Sequence, residues 1–424
     1  MQSFNLGFVS TRFAGSDGVS LETAKWAQVL TERLGHHCYY FSGQSDRPEK
    51  ISTVIPEAFY RHPEIKENHD TFFTKKFRSP KETKWIYEKK EVLKNELLTF
   101  LGKNDICLWI IENALAIPLN IPLGWAITEI IAETGIPTIA HHHDFAWERK
   151  RFLVNCIEDY INMAFPPNLD PIQHVVINSH ALYQLARRRG TGAILVPNVM
   201  DFKTKPPGAD AYNADLREAL GLEKDELFIL QPTRIIERKG IEHAIELVQR
   251  MGKKARLVIS HASGDEGHDF AKRIQDYSDL LNVRMICAED YFKPERYVDQ
   301  NGRKYYSIWD AYIQADLVTY PSEFEGFGNA FLEAVYFKKP IVVNNYSIYA
   351  TDIRPKGFHV IEFDDYVTDE TVERTINILQ DTAQTQRWVE KNYQLARKYY
   401  SYEVLETKLR ILIANAFGTN NLDL

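Results

Sequence analysis

Short apolar runs alternate with helical patterns through the first half of the chain. A helix is expected near residues 19–34, between the first two of five strand-like runs. These runs lie at residues 4–10, 36–42, 105–111, 137–143 and 174–178. A strand followed by a helix and another strand is the usual order in a parallel α/β sheet.

A second series of strand-like runs begins near residue 227, after a segment rich in turn residues at 199–215. Its five runs lie at residues 227–233, 255–261, 283–289, 316–322 and 340–346. The sequence therefore predicts an α/β protein with two doubly wound, Rossmann-like domains and a cleft between them. Ligands of such sheets bind outside the carboxyl ends of the strands.

Composition narrows the class of protein. A length of 424 residues exceeds one ordinary core, which agrees with two domains. Lys and Arg number 51 against 58 Asp and Glu, a net charge of −7, so a general polyanion or nucleic-acid binder is not expected. Four scattered cysteines, no leader pattern and no apolar run of about 20 residues predict a soluble, cytoplasmic protein.

The stretch EGFGNAFLE places Glu325 and Glu333 around a glycine turn, where a strand should end and a helix begin. Gly326 and Gly328 let the backbone approach a ligand closely, and the helix N-terminus attracts an anion such as phosphate. Carboxylates repel phosphate but accept hydrogen bonds from hydroxyls, which suggests a nucleotide sugar. Alternatively, Glu325 caps the helix and Glu333 is a solvated helix residue.

Cations for a diphosphate appear in TRIIERKG, which places Arg234 after a strand and Lys239 before a helix, with Arg238 between them. Fixed cations stabilise a departing diphosphate most strongly in the transition state. A surface loop held by salt bridges is the alternative. The chain contains no Asp-x-Asp, so the charge of the diphosphate is expected to be neutralised by Arg and Lys without a metal.

Three consecutive histidines, His141 to His143, end a strand of the first half. Neighbouring residues of a strand point in opposite directions, so all three are not expected to bind one metal ion, and no metal site is predicted. One histidine reaching a sugar hydroxyl is the preferred interpretation. Arg149 and Arg151 could hold an acidic acceptor, or they could be ordinary surface cations.

Two further segments carry weaker signals. Gly15 and Gly18 form a permissive turn after the first strand, where Ser16 and Asp17 can cap the next helix. Residues 73–101 are rich in Lys, Glu and aromatic side chains. They are interpreted as a solvated amphipathic helix, with contact to anionic lipid at the inner membrane face as the alternative.

With these pieces placed, the chain resembles the retaining GT-B glycosyltransferases of the GT4 group over nearly its whole length. Five motifs in order carry the resemblance: GSDGVSLE, LGHHCYYFSG, VPNVMD, TRIIERKG and EGFGNAFLE. The third departs from the family pattern, because Val199 stands where glycine is usual.

The resemblance implies roles for residues of the second half. Arg234 and Lys239 would bind the diphosphate of the donor, Glu325 its hexose and Glu333 its ribose. The amides of Phe327, Gly328 and Asn329 would support the sugar and phosphate.

In the first half, the resemblance implies that His143 contacts the donor sugar, with weaker claims for His141 and His142. Gly15, Gly18 and their loop would cover the diphosphate. An acceptor hydroxyl would attack the anomeric carbon from the face that the nucleotide leaves. UDP-glucose and GDP-mannose are both plausible donors, and a carbohydrate, sugar phosphate or lipid-linked sugar is a plausible acceptor.

The expected domains are an acceptor-side domain at 1–200, a donor-binding domain at 201–385 and helices at 386–424 that cross back to the first domain. Two other functions stay open. One is a sugar-nucleotide epimerase of the same architecture, which would need several carboxylates around the donor carbon. The other is a non-catalytic nucleotide-sugar-binding protein, which should have lost Arg234, Lys239 or Glu325, all of which are present.

Overall fold

The computed structural model describes residues 3–15, 17–261 and 268–418 and divides the chain into two compact units. One unit contains the chain up to Val199 and the chain from Tyr402 onward; the other is Met200–Ser401. Each unit has its own parallel sheet, so the predicted pair of Rossmann-like domains is confirmed. The predicted cap Ser16 lies outside the described residues.

The first unit is built on a seven-stranded sheet in which every neighbouring pair is parallel. The strands follow the order β3-β2-β1-β4-β5-β6-β7, so the direction of winding changes between β1 and β4. Their bounds are β1 Asn5–Val9, β2 His37–Ser42, β3 Ser52–Val54, β4 Leu108–Glu112, β5 Thr138–His142, β6 Ile172–Val176 and β7 Ile194–Leu195.

Helices connect these strands and begin at the residues that local chemistry predicts. Asp17 accepts hydrogen bonds from the amides of Val19 and Ser20, which confirms it as the cap of the first helix. Ser79 and Glu82 form a capping box at the start of the third helix. The bounds are α1 Gly18–Gln28, α2 Pro63–Phe72, α3 Pro80–Lys103, α4 Ile121–Thr134, α5 Glu158–Ala164 and α6 Ser179–Arg189.

The second unit has a six-stranded parallel sheet in the order β10-β9-β8-β13-β14-β15, which also reverses its winding beside its first strand. A separate antiparallel pair, β11 with β12, lies in a connection. The bounds are β8 Leu227–Arg234, β9 Ala255–His261, β10 Met285–Cys287, β11 Tyr297–Val298, β12 Lys304–Tyr305, β13 Leu317–Tyr320, β14 Ile341–Asn344 and β15 Ile361–Phe363.

The helices of the second unit pack around a core of branched aliphatic side chains. The first long helix shows this most clearly, because its apolar residues follow a helical period and are buried along one side. The bounds are α7 Leu216–Ala219, α8 Ile241–Met251, α9 His268–Leu280, α10 Ile308–Gln314, α11 Asn329–Tyr336, α12 Asp369–Gln380 and α13 Thr382–Tyr399.

The chain returns to the first unit through one last helix, α14 Tyr402–Phe417. Its buried Leu405, Leu409 and Leu412 join the core that contains β1. The side-chain amide of Gln173 donates to the carbonyl of Leu412 at 2.8 Å. The C-terminal helices therefore serve different cores, since α13 packs within the second unit.

The ten predicted strands are all present, and five further strands were not predicted. The additional strands, β3, β7, β11, β12 and β15, are two or three residues long. A run of two or three residues is usually too short to show the alternation by which a strand is recognised, although β10, also three residues long, lies within the predicted run 283–289. Among the described residues, no helix is both long enough and apolar enough to cross a bilayer.

Two histidines form a buried hydrogen bond between β5 and β6. His142 Nε2 lies 2.9 Å from His174 Nδ1, and the His174 ring also bonds the backbone of Pro167. Proline has no N–H, so the His174 ring donates to its carbonyl and its Nδ1 accepts from His142. Burial lowers the pKa of His174 to about 4 and that of His142 well below its usual value. Both rings are therefore neutral in the folded protein at neutral pH.

We expect this pair to make the first unit sensitive to acid. A depressed histidine pKa gives stability that is complete above the unfolded pKa of 6.5 and is lost as the pH falls toward 4. At 1.36 kcal/mol per pKa unit, His174 accounts for up to about 3 kcal/mol of this loss. Urea unfolding from pH 4 to pH 7, followed by hydrogen exchange of peptides from β5 and β6, measures it.

His174→Phe should flatten the pH dependence of the unfolding free energy, even though it lowers the stability itself. His180→Gln is the control, because it removes an exposed histidine of the same unit. An unchanged slope in His174→Phe would contradict the interpretation.

Candidate functional site

The residues predicted to bind a diphosphate sugar collect at one edge of the second sheet. Strands β8 and β13 are neighbours, and the winding reverses between them. β8 ends at Arg234 and β13 at Tyr320, so the loops that follow them begin side by side. This is the carboxyl-end switch point at which doubly wound sheets bind ligands.

A buried ion pair joins the two loops. Lys239 Nζ contacts Glu325 Oε1, and both residues are less than 10% exposed. Arg238 Nη1 lies 3.2 Å from Glu325 Oε2 and also donates to the carbonyl of Phe324 at 2.9 Å. Burial opposes ionisation of Glu325, but Lys239 and Arg238 lower its pKa below the usual range. The carboxylate is therefore charged, and the proposed helix-capping role of Glu325 is not what the structure shows.

The backbone around this pair is tightly fitted. Gly240 has a φ of +57°, and a Cβ there would lie 2.3 Å from the carbonyl oxygen of Pro321. Gly328 has a φ of +126°, and a Cβ there would lie 2.5 Å from the hydroxyl of Tyr346. That hydroxyl donates to the carbonyl of Phe327 at 2.8 Å. Both positions require glycine, which keeps the two loops close together.

Helix α11 starts directly after this turn and carries the second glutamate. The helix begins at Asn329, after Gly328, which has no side chain to cap it. Glu333 is partly buried and accepts a hydrogen bond from the hydroxyl of Tyr312 at 2.8 Å. The sequence-based alternative of a fully solvated Glu333 is therefore wrong, because a buried tyrosine holds one of its oxygens.

Arg234 is the exposed cation of the group. It forms no ion pair within the described residues, 3–15, 17–261 and 268–418. His261, at the end of β9, pairs with it in the register of the sheet. Burial lowers the pKa of His261, and the charges of Arg234 and Lys239 lower it further. The edge of the second sheet is thus rich in positive charge next to one buried carboxylate.

The first unit has its own buried carboxylate at the edge of its sheet. Glu112, the last residue of β4, is fully buried. Its Oε2 lies 2.9 Å from His141 Nδ1 and 3.4 Å from His143 Nε2. His142 points the other way and meets His174. The predicted alternation along the strand is therefore confirmed, and only two of the three histidines converge.

Two clusters among the described residues have ligand atoms close enough for a metal ion. In the first unit these are Glu112, His141 and His143, whose ligand atoms lie within 4.8 Å of one another. In the second unit they are Glu242, His243 and Glu323, which are more exposed. Sequence reasoning considered the histidines without Glu112, and so did not find the first cluster.

The remaining predicted residues of the first unit lie in two loops. Gly15 has a φ of +83°, and its amide donates to Asp46 at 3.0 Å, while Gly18 begins α1. Arg149 pairs with Asp144, which neutralises it, and the Arg151 guanidinium lies 4.7 Å from the centre of the Phe152 ring. Both arginines therefore have contacts within the first unit.

Sequence reasoning also missed groups that support the predicted residues. Glu112 was overlooked because it follows an apolar run. A carboxylate at the end of a buried strand needs a polar partner, and this could have indicated a functional residue. Arg238 was noted but not assigned, and its contact with Glu325 spans 87 residues. Long-range pairs of this kind are set by the fold and are not visible in local spacing.

Comparisons with a family model and with individual proteins agree with one another. Residues 213–395 match the family model described as Glycosyl transferases group 1. The mannosylglucosylglycerate synthase of Thermotoga maritima is 30% identical over 428 residues, covering 92% of this chain and 95% of that protein. The enzyme of the same name from Petrotoga mobilis is 33% identical over 384 residues, covering 84% and 86%.

Among solved structures, a glycosyltransferase from Rickettsia africae ESF-5 superposes with a TM-score of 0.70. The match covers 99% of this chain and 100% of that chain at 13% identity. At this level of identity the likeness shows the fold alone, and the fold is GT-B.

We expect the buried pair of Lys239 and Glu325 to contribute unequally to stability. Glu325→Gln leaves Lys239 buried without a carboxylate and should cost about 3–5 kcal/mol. Lys239→Met should cost less, because Arg238 still neutralises Glu325. Urea unfolding, followed by hydrogen exchange of peptides from β8 and β13, measures both losses. Equal losses in the two variants would contradict this asymmetry.

Proposed function

The chain belongs to the glycosyl transferases group 1 family and is a glycosyltransferase; from that premise, we propose that it transfers a hexosyl group from a nucleotide sugar to an acidic glycoside. We further propose that the transfer retains the anomeric configuration and requires no metal ion. The observation that carries the proposal is the group of Arg234, Lys239 and Glu325 at the switch point of the second sheet.

The charges at this edge suit a nucleotide diphosphate sugar. Arg234 is exposed and can form a bidentate contact with a phosphate without breaking an existing ion pair. Lys239 brings a buried positive charge that is already oriented by Glu325. The amides of Phe327, Gly328 and Asn329 open α11 toward the anion. Glu325 and Glu333 accept hydrogen bonds from the hexose and the ribose, respectively.

Residues of the first unit complete the proposed roles. We propose that His143 binds a sugar hydroxyl and that the loop of Gly15 and Gly18 binds phosphate. Arg149 and Arg151 remain the candidates for an acidic acceptor, with the contact of Arg149 to Asp144 exchanged when the acceptor binds.

The proposed reaction breaks the bond between the anomeric carbon and the phosphate oxygen and forms a bond to the acceptor oxygen on the same face. The hydroxyl proton passes to the departing phosphate oxygen, so the products are a glycoside and a nucleoside diphosphate. Negative charge builds on the leaving group as its bond breaks. Arg234 and Lys239 stabilise this charge more in the transition state than in the ground state.

The names of the two relatives indicate the acceptor. Both are mannosylglucosylglycerate synthases, and each is matched over most of its length. We therefore take glucosylglycerate as the acceptor of this chain and a mannosyl nucleotide, with GDP-mannose first, as the donor. UDP-glucose is the competing donor. Release of a nucleoside diphosphate that depends on the acceptor distinguishes transfer from epimerisation, which needs no acceptor.

Contact with a lipid surface is not part of the proposal. Cations of the basic segment are matched by carboxylates: Lys89 lies 2.6 Å from Glu64, and Lys94 lies 2.6 Å from Glu133. Lys90 is buried and lies 2.6 Å from Glu129. These pairs favour the solvated amphipathic helix over a surface with excess positive charge.

Arg234→Ala and Lys239→Ala should each lower kcat by about a hundredfold or more, as the loss of a fixed charge at a developing anion does. Arg234→Ala should leave the melting temperature nearly unchanged, because its side chain is exposed and without an ion pair among the described residues.

A coupled assay of nucleoside diphosphate release measures kcat. Arg273→Ala removes an exposed arginine of α9 and is the matched control. Near wild-type turnover in both variants would refute the diphosphate assignment.

The acceptor proposal predicts a specific product. GDP-mannose and glucosylglycerate should give a compound heavier than the acceptor by one hexosyl residue in mass spectrometry, with proton NMR showing the α configuration of the donor preserved. Activity should survive dialysis against EDTA. Release of GDP that does not depend on glucosylglycerate would oppose this acceptor, and inversion at the anomeric carbon would oppose the retaining mechanism.

A further inference from the structure

The carboxylate of Glu112 and the ring of His143 are in contact in the first unit, and nothing in the proposed reaction yet uses Glu112. We propose that Glu112 is a positioning residue that holds His143 with its proton on Nε2, so that Nδ1 is left to accept a hydrogen bond from a hydroxyl of the donor sugar. This inference rests on the proposed function, which assigns His143 to that sugar.

The sheet brings the three side chains together. Glu112 and His141 are direct partners in the register of β4 and β5, so their side chains lie at the same level. His143 is two residues beyond His141 and projects to the same side. The ring centres of His141 and His143 are 4.4 Å apart, and the same carboxylate oxygen lies within 3.4 Å of a nitrogen of each ring.

The charge state of Glu112 sets the direction of both hydrogen bonds. One oxygen of Glu112 lies 2.9 Å from His141 Nδ1 and 3.4 Å from His143 Nε2, and these contacts outweigh burial and lower its pKa below the usual range. An ionised carboxylate only accepts hydrogen bonds, so His141 Nδ1 and His143 Nε2 must carry the protons. In this proposed arrangement the His143 ring carries a single proton, so its other nitrogen is an acceptor. For His143 that nitrogen is Nδ1.

The second imidazole of the cluster occupies a different environment. His141 is fully buried, and burial lowers its pKa. Its ring stacks on Trp26 of α1 with centres 4.2 Å apart, and its Nε2 has no hydrogen-bond partner among the described residues. His141 therefore serves as a second donor that keeps Glu112 ionised. His143 is the partly exposed member that a ligand can reach.

The residue after Glu112 holds the backbone of His143. Asn113 has a φ of +58°, and its Oδ1 accepts from the His143 amide at 3.0 Å. Its Nδ2 donates to Asp144 at 2.9 Å, and its own amide donates to the carbonyl of His141 at 2.9 Å. The end of β4 thus holds His143 twice, by its ring and by its main chain.

Other polar and charged groups around the cluster are compatible with this arrangement. Glu22, a buried carboxylate of α1, favours the protonated form of His141 by its charge. Ser10, just after β1, donates to the carbonyl of Glu112 at 2.9 Å and leaves its carboxylate to the histidines. Asp144 pairs with Arg149. Within the described part of the chain, neither Glu22 nor Asp144 forms a hydrogen bond with the His143 side chain.

A double-mutant cycle tests whether Glu112 acts through His143. Glu112→Gln preserves the shape of the side chain but removes its charge, and it should lower kcat by about 10–100-fold, as loss of a group that orients an active-site histidine does. In a His143→Ala background, the same change should alter kcat by less than about twofold, because the residue through which it acts is gone. Nucleoside diphosphate affinity should change little in all three variants. An equal fall in both backgrounds would overturn the proposal.

Glu129→Gln is the structural control. It removes a partly buried carboxylate of the same unit, which pairs with Lys90, and it should lower stability without lowering kcat. All rates are measured well below each melting temperature. A comparable loss of kcat in Glu129→Gln would mean that any weakening of the first unit slows the enzyme, which would remove the support that the cycle gives.

A second measurement needs no variant of Glu112 and no activity. Long-range ¹H–¹⁵N spectra of histidine-labelled protein, with His143 assigned by the His143→Ala variant, should show the Nε2–H tautomer. A proton on Nδ1 would overturn the proposal, as would one equivalent of zinc retained by the purified protein, since a metal at this cluster would replace both protons.

The two measurements separate this inference from the proposed function. The tautomer can be observed even if no transferase activity is found, in which case the acceptor or donor assignment has failed and the positioning of His143 stands. If His143→Ala retains full activity while the tautomer is as expected, the sugar contact of His143 is refuted and the positioning has no catalytic purpose.

Discussion

Burial of an ionised glutamate at the carboxyl edge of a parallel sheet is the constraint on which both units depend. An isolated carboxylate in such a place is costly, so the surrounding chain must supply hydrogen-bond donors or positive charge. In the second unit Lys239 and Arg238 surround Glu325. In the first unit two imidazole rings surround Glu112. The same requirement is met by Lys and Arg in one unit and by imidazole rings in the other.

The choice of partner determines what each edge can do. Because fixed cations surround Glu325, the second unit is the one that, in the proposed function, binds a diphosphate and directs a carboxylate at hydroxyls. Glu112 instead accepts hydrogen bonds from the rings of His141 and His143. In the arrangement inferred above, this contact leaves Nδ1 of His143 to accept a hydrogen bond. In the proposed function, the edge of the second sheet binds an anionic leaving group, and that of the first sheet binds an uncharged sugar.

Sequence patterns predicted the strands that are four or more residues long, the switch from strand to helix at EGFGNAFLE, and the individual candidates Lys239 and Glu325. They could not show that these two residues contact each other, because 86 positions separate them and only the pairing of β8 with β13 brings them together. Glu112 was not recognised, since its environment depends on β5 lying beside β4. Local chemistry is readable in the sequence, whereas charge balance at a sheet edge is a property of the tertiary fold.

The arrangement around Glu325 also indicates the order in which Arg234 and Lys239 contact the donor in the proposed function. Lys239 is buried and paired with a carboxylate, so separating the two would leave an unpaired charge in a buried position. Arg234 is exposed and has no such commitment within the described chain. In the proposed function, Arg234 therefore makes the first contact with a phosphate, and Lys239 joins while still bonded to Glu325. A phosphate and a sugar hydroxyl are then linked through one rigid pair, which couples recognition of the diphosphate to the placement of the hexose.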